Sequence, residues 1–244
     1  MDKEDKERYL DKMLNSSLES QGDHLFRFRG IYLSIVFIIF AFLEVNNSYK
    51  IHSSLTFYSG MIISVFGLFL RCITIGYIYD NTSGRNTAEG QVADSLNIFG
   101  MYSIVRNPLY LGNFFMTIGV FISLGLSFIT LALSIIIFLY YKRVIYTEEI
   151  YLKEKFGDEY NDWLAVTNAI VPNIFKFNRS NLRFSISRVV VREYAGAYLI
   201  ALVYTLICYS RLSLYNNFTF FYYYPIFLII ILYLITRLYK KHFL

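Results

Sequence analysis

Apolar residues in this chain gather into unbroken runs, and several of the runs approach the length of a bilayer crossing, which takes about 20 residues as a helix. Such runs fall at residues 30–45 (reaching upstream toward Leu25), 55–79, 194–210 and 220–236. A further run, 109–141, is too long for one crossing. It predicts a tight hairpin that turns where small residues cluster, at Ser123-Leu124-Gly125-Leu126-Ser127. Pro225 lies near the start of the last run. The pattern predicts an all-α integral membrane protein with about six transmembrane helices.

Charge placement supports that reading and orients it. If alternate loops face opposite sides, one side receives 20 Lys and Arg, and the other receives only Lys50 and Arg211. Positive charge of this asymmetry marks the cytoplasmic side, so both termini are expected there. The organisation that follows has four parts. Residues 1–29 form a cytoplasmic segment, and 30–175 a core of four spans with an acidic helix. Residues 176–193 form a basic connector, and 194–244 a membrane hairpin of two helices. The expected location is multi-pass integral membrane, the inner membrane if the source is bacterial.

Composition agrees: 56% of residues are hydrophobic and 19% aromatic, more apolar surface than a soluble domain of 244 residues needs. The net charge of +5 is accounted for by the basic flanks of the spans, so no nucleic-acid partner is expected. Cys72 and Cys208 both lie in apolar runs, and His24, His52 and His242 are far apart. Neither a disulfide framework nor a metal site is expected. The mixed-charge N-terminus does not read as a cleaved signal peptide.

Two segments carry candidate chemistry. In the first, Asn107 followed by Pro108 reads as a helix start, with Asn as the cap and Pro in the first turn. A helix N-terminus beside Arg106 can hold a carboxylate or phosphate, though an ordinary capped helix with an interfacial Arg explains the same residues. In the second, Ile145, Leu152, Phe156, Tyr160 and Trp163 share one helical face. Glu149 falls on that face, and Glu148 lies about 100° away from it. A carboxylate on an apolar face needs a partner: a cationic ligand, Arg106 or Arg71. Lys153, one turn on, is the surface alternative. Arg71 interrupts the second span, where a charge marks either function or a side chain reaching to the interface.

These segments resemble the isoprenylcysteine carboxyl methyltransferase and phospholipid methyltransferase family. Arg106-Asn107-Pro108-Leu109-Tyr110-Leu111-Gly112 is similar to its Arg-His-Pro-x-Tyr-x-Gly motif. Glu148-Glu149 with Leu152 is similar to its Glu-Glu-x-x-Leu helix, Phe156-Gly157 with Tyr160 to its Phe-Gly-x-x-Tyr run, and Ile170-Val171-Pro172 to its closing segment. Asn107 replaces the family's His, and Trp163 stands where Tyr is more usual. The resemblance implies an S-adenosylmethionine site among the cytoplasmic ends of the spans. Tyr102, Arg106, Asn107, Pro108, Tyr110, Gly112, Glu148 and Glu149 would bind the cofactor, with Arg106 and Glu149 as the catalytic pair. The acceptor it implies is a membrane lipid or lipidated substrate that enters from the bilayer.

With no His near either segment to act as a base, an acceptor already ionised at pH 7 is favoured. The expected reaction is O-methylation of an acidic lipid head group, either a phosphate such as that of lipid A or a carboxylate such as that of prenylcysteine. Lys176, Arg179, Arg183, Arg188 and Arg192 could cradle such an anion or merely flank a span. Arg71, Arg183 and Arg188 are the expected substrate-binding residues. Three alternatives stand beside this one: N-methylation of a phospholipid amine, an NADPH-dependent sterol or enone reductase with a similar Arg-His-Pro motif, and a non-enzymatic channel or scaffold.

Overall fold

In a computed structural model, two helices meet along a seam of small residues and set the frame for the rest. The structure describes residues 24–25, 54–79, 82, 85–87, 90–125, 127–213 and 224–243. The run at 30–45 lies outside them. Helix α1 is Ser54–Gly76, the short α2 is Met101–Ile104, and α3 is Pro108–Ser123. Gly60, Ser64 and Gly67 of α1 face Gly112, Met116, Gly119 and Ser123 of α3 so closely that a methyl on Gly67 would lie 2.5 Å from the Gly112 carbonyl. Small residues of this kind let helices approach where lipid offers no hydrophobic drive for association.

Hydroxyls in that seam need partners, because hydrocarbon provides none. Ser64 Oγ donates to the Met116 carbonyl at 2.8 Å and Ser123 Oγ to the Phe57 carbonyl at 3.0 Å. Tyr204 of α5 (Ile186–Ser213) bridges the two serines at 2.9 and 3.0 Å, which ties the third helix to the seam.

The hairpin turn falls where small residues predict it. Helix α3 ends at Ser123 and α4 (Ser127–Val166) begins four residues later, with Gly125 at φ 70°. What differs is that the span and the acidic helix are one element. No Gly or Pro occurs between Phe128 and Phe156, so nothing stops the helix at the end of the apolar run. That stretch is roughly 45 Å long against about 30 Å of hydrocarbon, so α4 must project beyond a bilayer. Its exposed residues change accordingly, from Phe128, Leu131, Ile135, Phe138 and Leu139 to Lys153, Glu154, Asp158, Glu159 and Asp162. Gly157, at φ 52° and ψ −117°, bends the final turns back toward α2.

Two further differences appear. Helix α5 starts at Ile186, so Arg188, Arg192 and Glu193, expected in a connector, lie on its first turns. The all-α expectation also has one exception, an antiparallel pair of β1 (Arg85–Thr87) and β2 (Gly90–Val92), in register Asn86 to Gln91. Helix α6, Tyr224–Phe243, carries Pro225 in its first turn. Among the described residues, α1 and Ile186–Tyr209 of α5 are long and apolar enough to cross a membrane by length and composition, and α3 is a shorter apolar helix. Leu55, Tyr58, Ile62, Val65, Phe66 and Phe69 line an exposed apolar face of α1, and Phe227, Ile231, Leu234 and Leu238 one of α6. Bands of this size suit lipid contact rather than water.

Candidate functional site

The two motif segments meet through their charges. Arg106, in the turn between α2 and α3, donates from Nε to Glu149 Oε1 of α4 at 3.0 Å. Its Nη1 donates to the Thr167 carbonyl at 2.6 Å and to that of Leu164 at 3.4 Å, so the guanidinium also caps the C-terminal end of α4. Lys153, the surface alternative for Glu149, is exposed, and Arg106 holds the carboxylate instead.

Glu148 and Glu149 both serve, in different directions. Tyr110, in the first turn of α3, donates its hydroxyl to Glu148 Oε2 at 2.8 Å. Glu148 is 7% exposed and Glu149 only half-buried, the reverse of what the apolar face implied. The reason is that α3 covers one flank of that face, while the Arg106 turn covers the other.

Asn107 occupies the cap position with Pro108 after it, and its backbone carbonyl accepts from the Leu111 amide at 3.0 Å. Its side chain makes no cap bond, contrary to expectation. The amide Nδ2 instead donates to the Ala169 carbonyl at 3.1 Å and toward Glu149 Oε1 at 3.4 Å. With two half-buried acceptors within reach, the amide satisfies them, and the helix end loses one optional bond.

The segment after α4 is strapped along this turn. Arg106 N donates to the Asn168 carbonyl and Asn173 N to that of Ile104, each at 2.8 Å, which places Ile170-Val171-Pro172 beside the site. Trp163 Nε1 donates to the Tyr102 carbonyl at 3.1 Å, a bond that a Tyr in its place would make differently. Tyr102 and Tyr160 are buried with Trp163, Leu152, Ile75 and Leu96. Burial pushes the Tyr102 phenol well above its ordinary range; Glu148 adds to the shift, and Arg71 and Arg192 oppose it. Burial does the same to Tyr160, with Glu149 adding and Arg106 opposing. Both hydroxyls stay protonated and are donors. The Tyr160 hydroxyl, in a side chain 1% exposed, has no hydrogen-bond partner among the described residues.

Gly112 has a role that the motif does not announce. A methyl there would stand 2.5 Å from Cγ of Arg71 and 2.9 Å from the Gly67 carbonyl, so the glycine lets the arginine stem pass between α1 and α3. Arg71 lies against Glu193 and Asn113, residues that sequence reasoning missed. One signal was there: Glu193 is the only acidic residue after Asp162. Arg183 is exposed in the segment before α5, and Arg188 is half-buried in its first turn.

The same stretch of chain matches known proteins. Residues 55–159 match the phospholipid methyltransferase family model, a stretch that takes in α1, α3, the hairpin and the acidic pair. Over 75 residues the chain is 35% identical to protein-S-isoprenylcysteine O-methyltransferase of Schizosaccharomyces pombe, covering 31% of this chain and 32% of the relative. The chain thus spans about a third of the length of that curated relative. No solved structure gives a significant match.

Proposed function

We propose that this protein is an S-adenosylmethionine-dependent methyltransferase that acts on a lipidic acceptor and methylates an acidic head group, phosphate or carboxylate, on oxygen. The observation that carries the reading is the junction of the two motif segments, Arg106 with Glu149 and Tyr110 with Glu148. It supports a site that gathers one cation and two carboxylates at the polar edge of apolar helices. The family model and the yeast relative, an O-methyltransferase by its name, favour methyl transfer over hydride delivery.

The residues present fit the cofactor by the chemistry of their donors and acceptors. Glu148 and Glu149 would hold its amine, hydroxyls and sulfonium charge, and Arg106 its carboxylate. The Tyr160 hydroxyl, without a hydrogen-bond partner among the described residues, is a spare donor. When bound, the cofactor supplies a sulfonium methyl that needs no further activation. The protein's part is to align the acceptor and exclude water, with Tyr110 fixing Glu148 and Asn107 and Arg106 fixing Glu149. Tyr102 and Tyr160 stay protonated and do not serve as bases, which suits an acceptor oxygen already ionised at pH 7.

The six-span topology, with both termini and the site on the cytoplasmic side, rests on the charge asymmetry of the loops. Arg71, Arg183 and Arg188 would meet the acceptor's anion. Incubation of membranes with a labelled methyl donor tests the reading: label should enter lipid and be found by mass spectrometry on a head-group oxygen, as a base-labile carboxyl methyl ester or a base-stable methyl phosphodiester. Label held stably on a head-group amine would replace this reading with N-methylation.

A further inference from the structure

Arg71 is the one charged residue between Lys50 and Asp80, and Glu193 the one acidic residue after Asp162. The fold brings them together. Arg71 Nε donates to Glu193 Oε2 and Nη2 to Oε1, each at 2.7 Å, a planar fork against a carboxylate. Nη1 donates to Asn113 Oδ1 at 2.7 Å and to the Leu109 carbonyl at 3.3 Å. The arginine side chain keeps 18% exposure and the glutamate 4%.

Stability alone gives this pair little reason to exist. Burying two charges costs as much as their attraction returns, and an apolar pair of the same volume would join the helices as well. The serine and glycine seam with Tyr204 already joins α1, α3 and α5. Charges among apolar helices are costly and tend to mark a ligand path.

The pair's position makes it part of the site. The Arg71 stem crosses Gly112, the last residue of the family motif, and its head touches the α3 turn that presents Tyr110 to Glu148. The Tyr102 hydroxyl lies within electrostatic reach of both Glu148 and Arg71. The guanidinium fork that grips Glu193 has the shape that grips a phosphate or a lipid carboxylate.

We propose that Arg71, backed by Asn113, is the anion subsite for the acceptor head group, and that Glu193 is its resident counter-anion, exchanged when an acidic head group enters. Glu193 is then a specificity residue outside the family-matched core, contributed by α5. Gly196 lies one turn along α5, and Glu193 Oε2 is 3.8 Å from where a methyl there would be, an ordinary contact. Neutral and cationic head groups cannot displace a carboxylate from the fork, but an anion with two oxygens can. The inference rests on the acidic-acceptor reading above and deepens it.

The test uses the full chain in phosphatidylcholine nanodiscs, without methyl donor, with a fluorescent short-chain phosphatidate as probe and the matching diacylglycerol as control. Glu193→Gln should bind phosphatidate on the order of tenfold tighter, because the competing charge is gone while the shape is kept. Arg71→Lys, which keeps the charge but loses the fork, should bind it several-fold weaker. The charge swap Arg71→Glu with Glu193→Arg preserves an ion pair and should lose the binding. Diacylglycerol should respond to none of them. If Glu193→Gln binds phosphatidate no more tightly, or the swap binds like the parent, the pair is a structural staple and the proposal fails. Donor binding and lipid methylation by the parent protein are separate measurements, so failure of the enzyme reading would show there and not in this one.

Discussion

Tyr110 and Glu148, 38 residues apart, share a hydrogen bond of 2.8 Å that joins the first turn of α3 to the middle of α4. It fixes the rotation of α4 against α3 and, with it, the direction in which Glu149 faces. Tyr110→Phe removes the donor and leaves a buried carboxylate short of a partner, a cost of about 1–3 kcal/mol. The expected result is S-adenosylmethionine affinity lower by roughly tenfold or more, measured by calorimetry on the detergent-purified protein. An unchanged affinity would separate Glu148 from the cofactor.

Glu149→Gln breaks the ion pair with Arg106 and should weaken S-adenosylmethionine binding strongly. Lys153→Ala, at an exposed position on the same helix, should leave it intact. Equal small effects in the two variants would make Glu149 a surface group.

Asn107→His restores the residue usual in the family. The imidazole can donate to Glu149 or the Ala169 carbonyl as the amide does, so cofactor affinity should stay within about threefold of the parent. Asn107→Leu strips that donor and should lower affinity by about tenfold. If both behave alike, the side chain at 107 has no part in holding Glu149.

Gly112→Ala forces a methyl against Arg71 Cγ and the Gly67 carbonyl, and overpacking of this kind costs about 1–3 kcal/mol. Thermal unfolding in detergent should shift down by several degrees. Gly196→Ala meets nothing nearer than Met116 Cε at 3.5 Å and should leave the midpoint unchanged.

Topology is open to labelling. In a background with Cys72 and Cys208 replaced, cysteines at Ser48 and Asn216 should react with an impermeant thiol reagent in intact cells. One at Asn181, exposed in the segment before α5, should not. Labelling at Asn181 would overturn the six-span arrangement.

Local features of the chain were readable before any fold was known. The apolar runs at 55–79 and 109–141, the turn at Ser123–Ser127 and the helix start at Pro108 follow from segment length and from where small residues and proline fall. The motif resemblance singled out Arg106, Tyr110, Glu148 and Glu149, which the fold brings together, because such motifs are read from residue type and short spacing. What only the tertiary structure decided are the partnerships: Arg106 rather than Lys153 for Glu149, Tyr110 for Glu148, and Glu193 for Arg71 across 122 positions. Helical periodicity gives a residue's direction about its own axis and not which helix stands opposite. That choice was made by the close approach of α1 and α3 through their glycines, which carried Arg71 past Gly112 and left its charge to be met by the one carboxylate on α5.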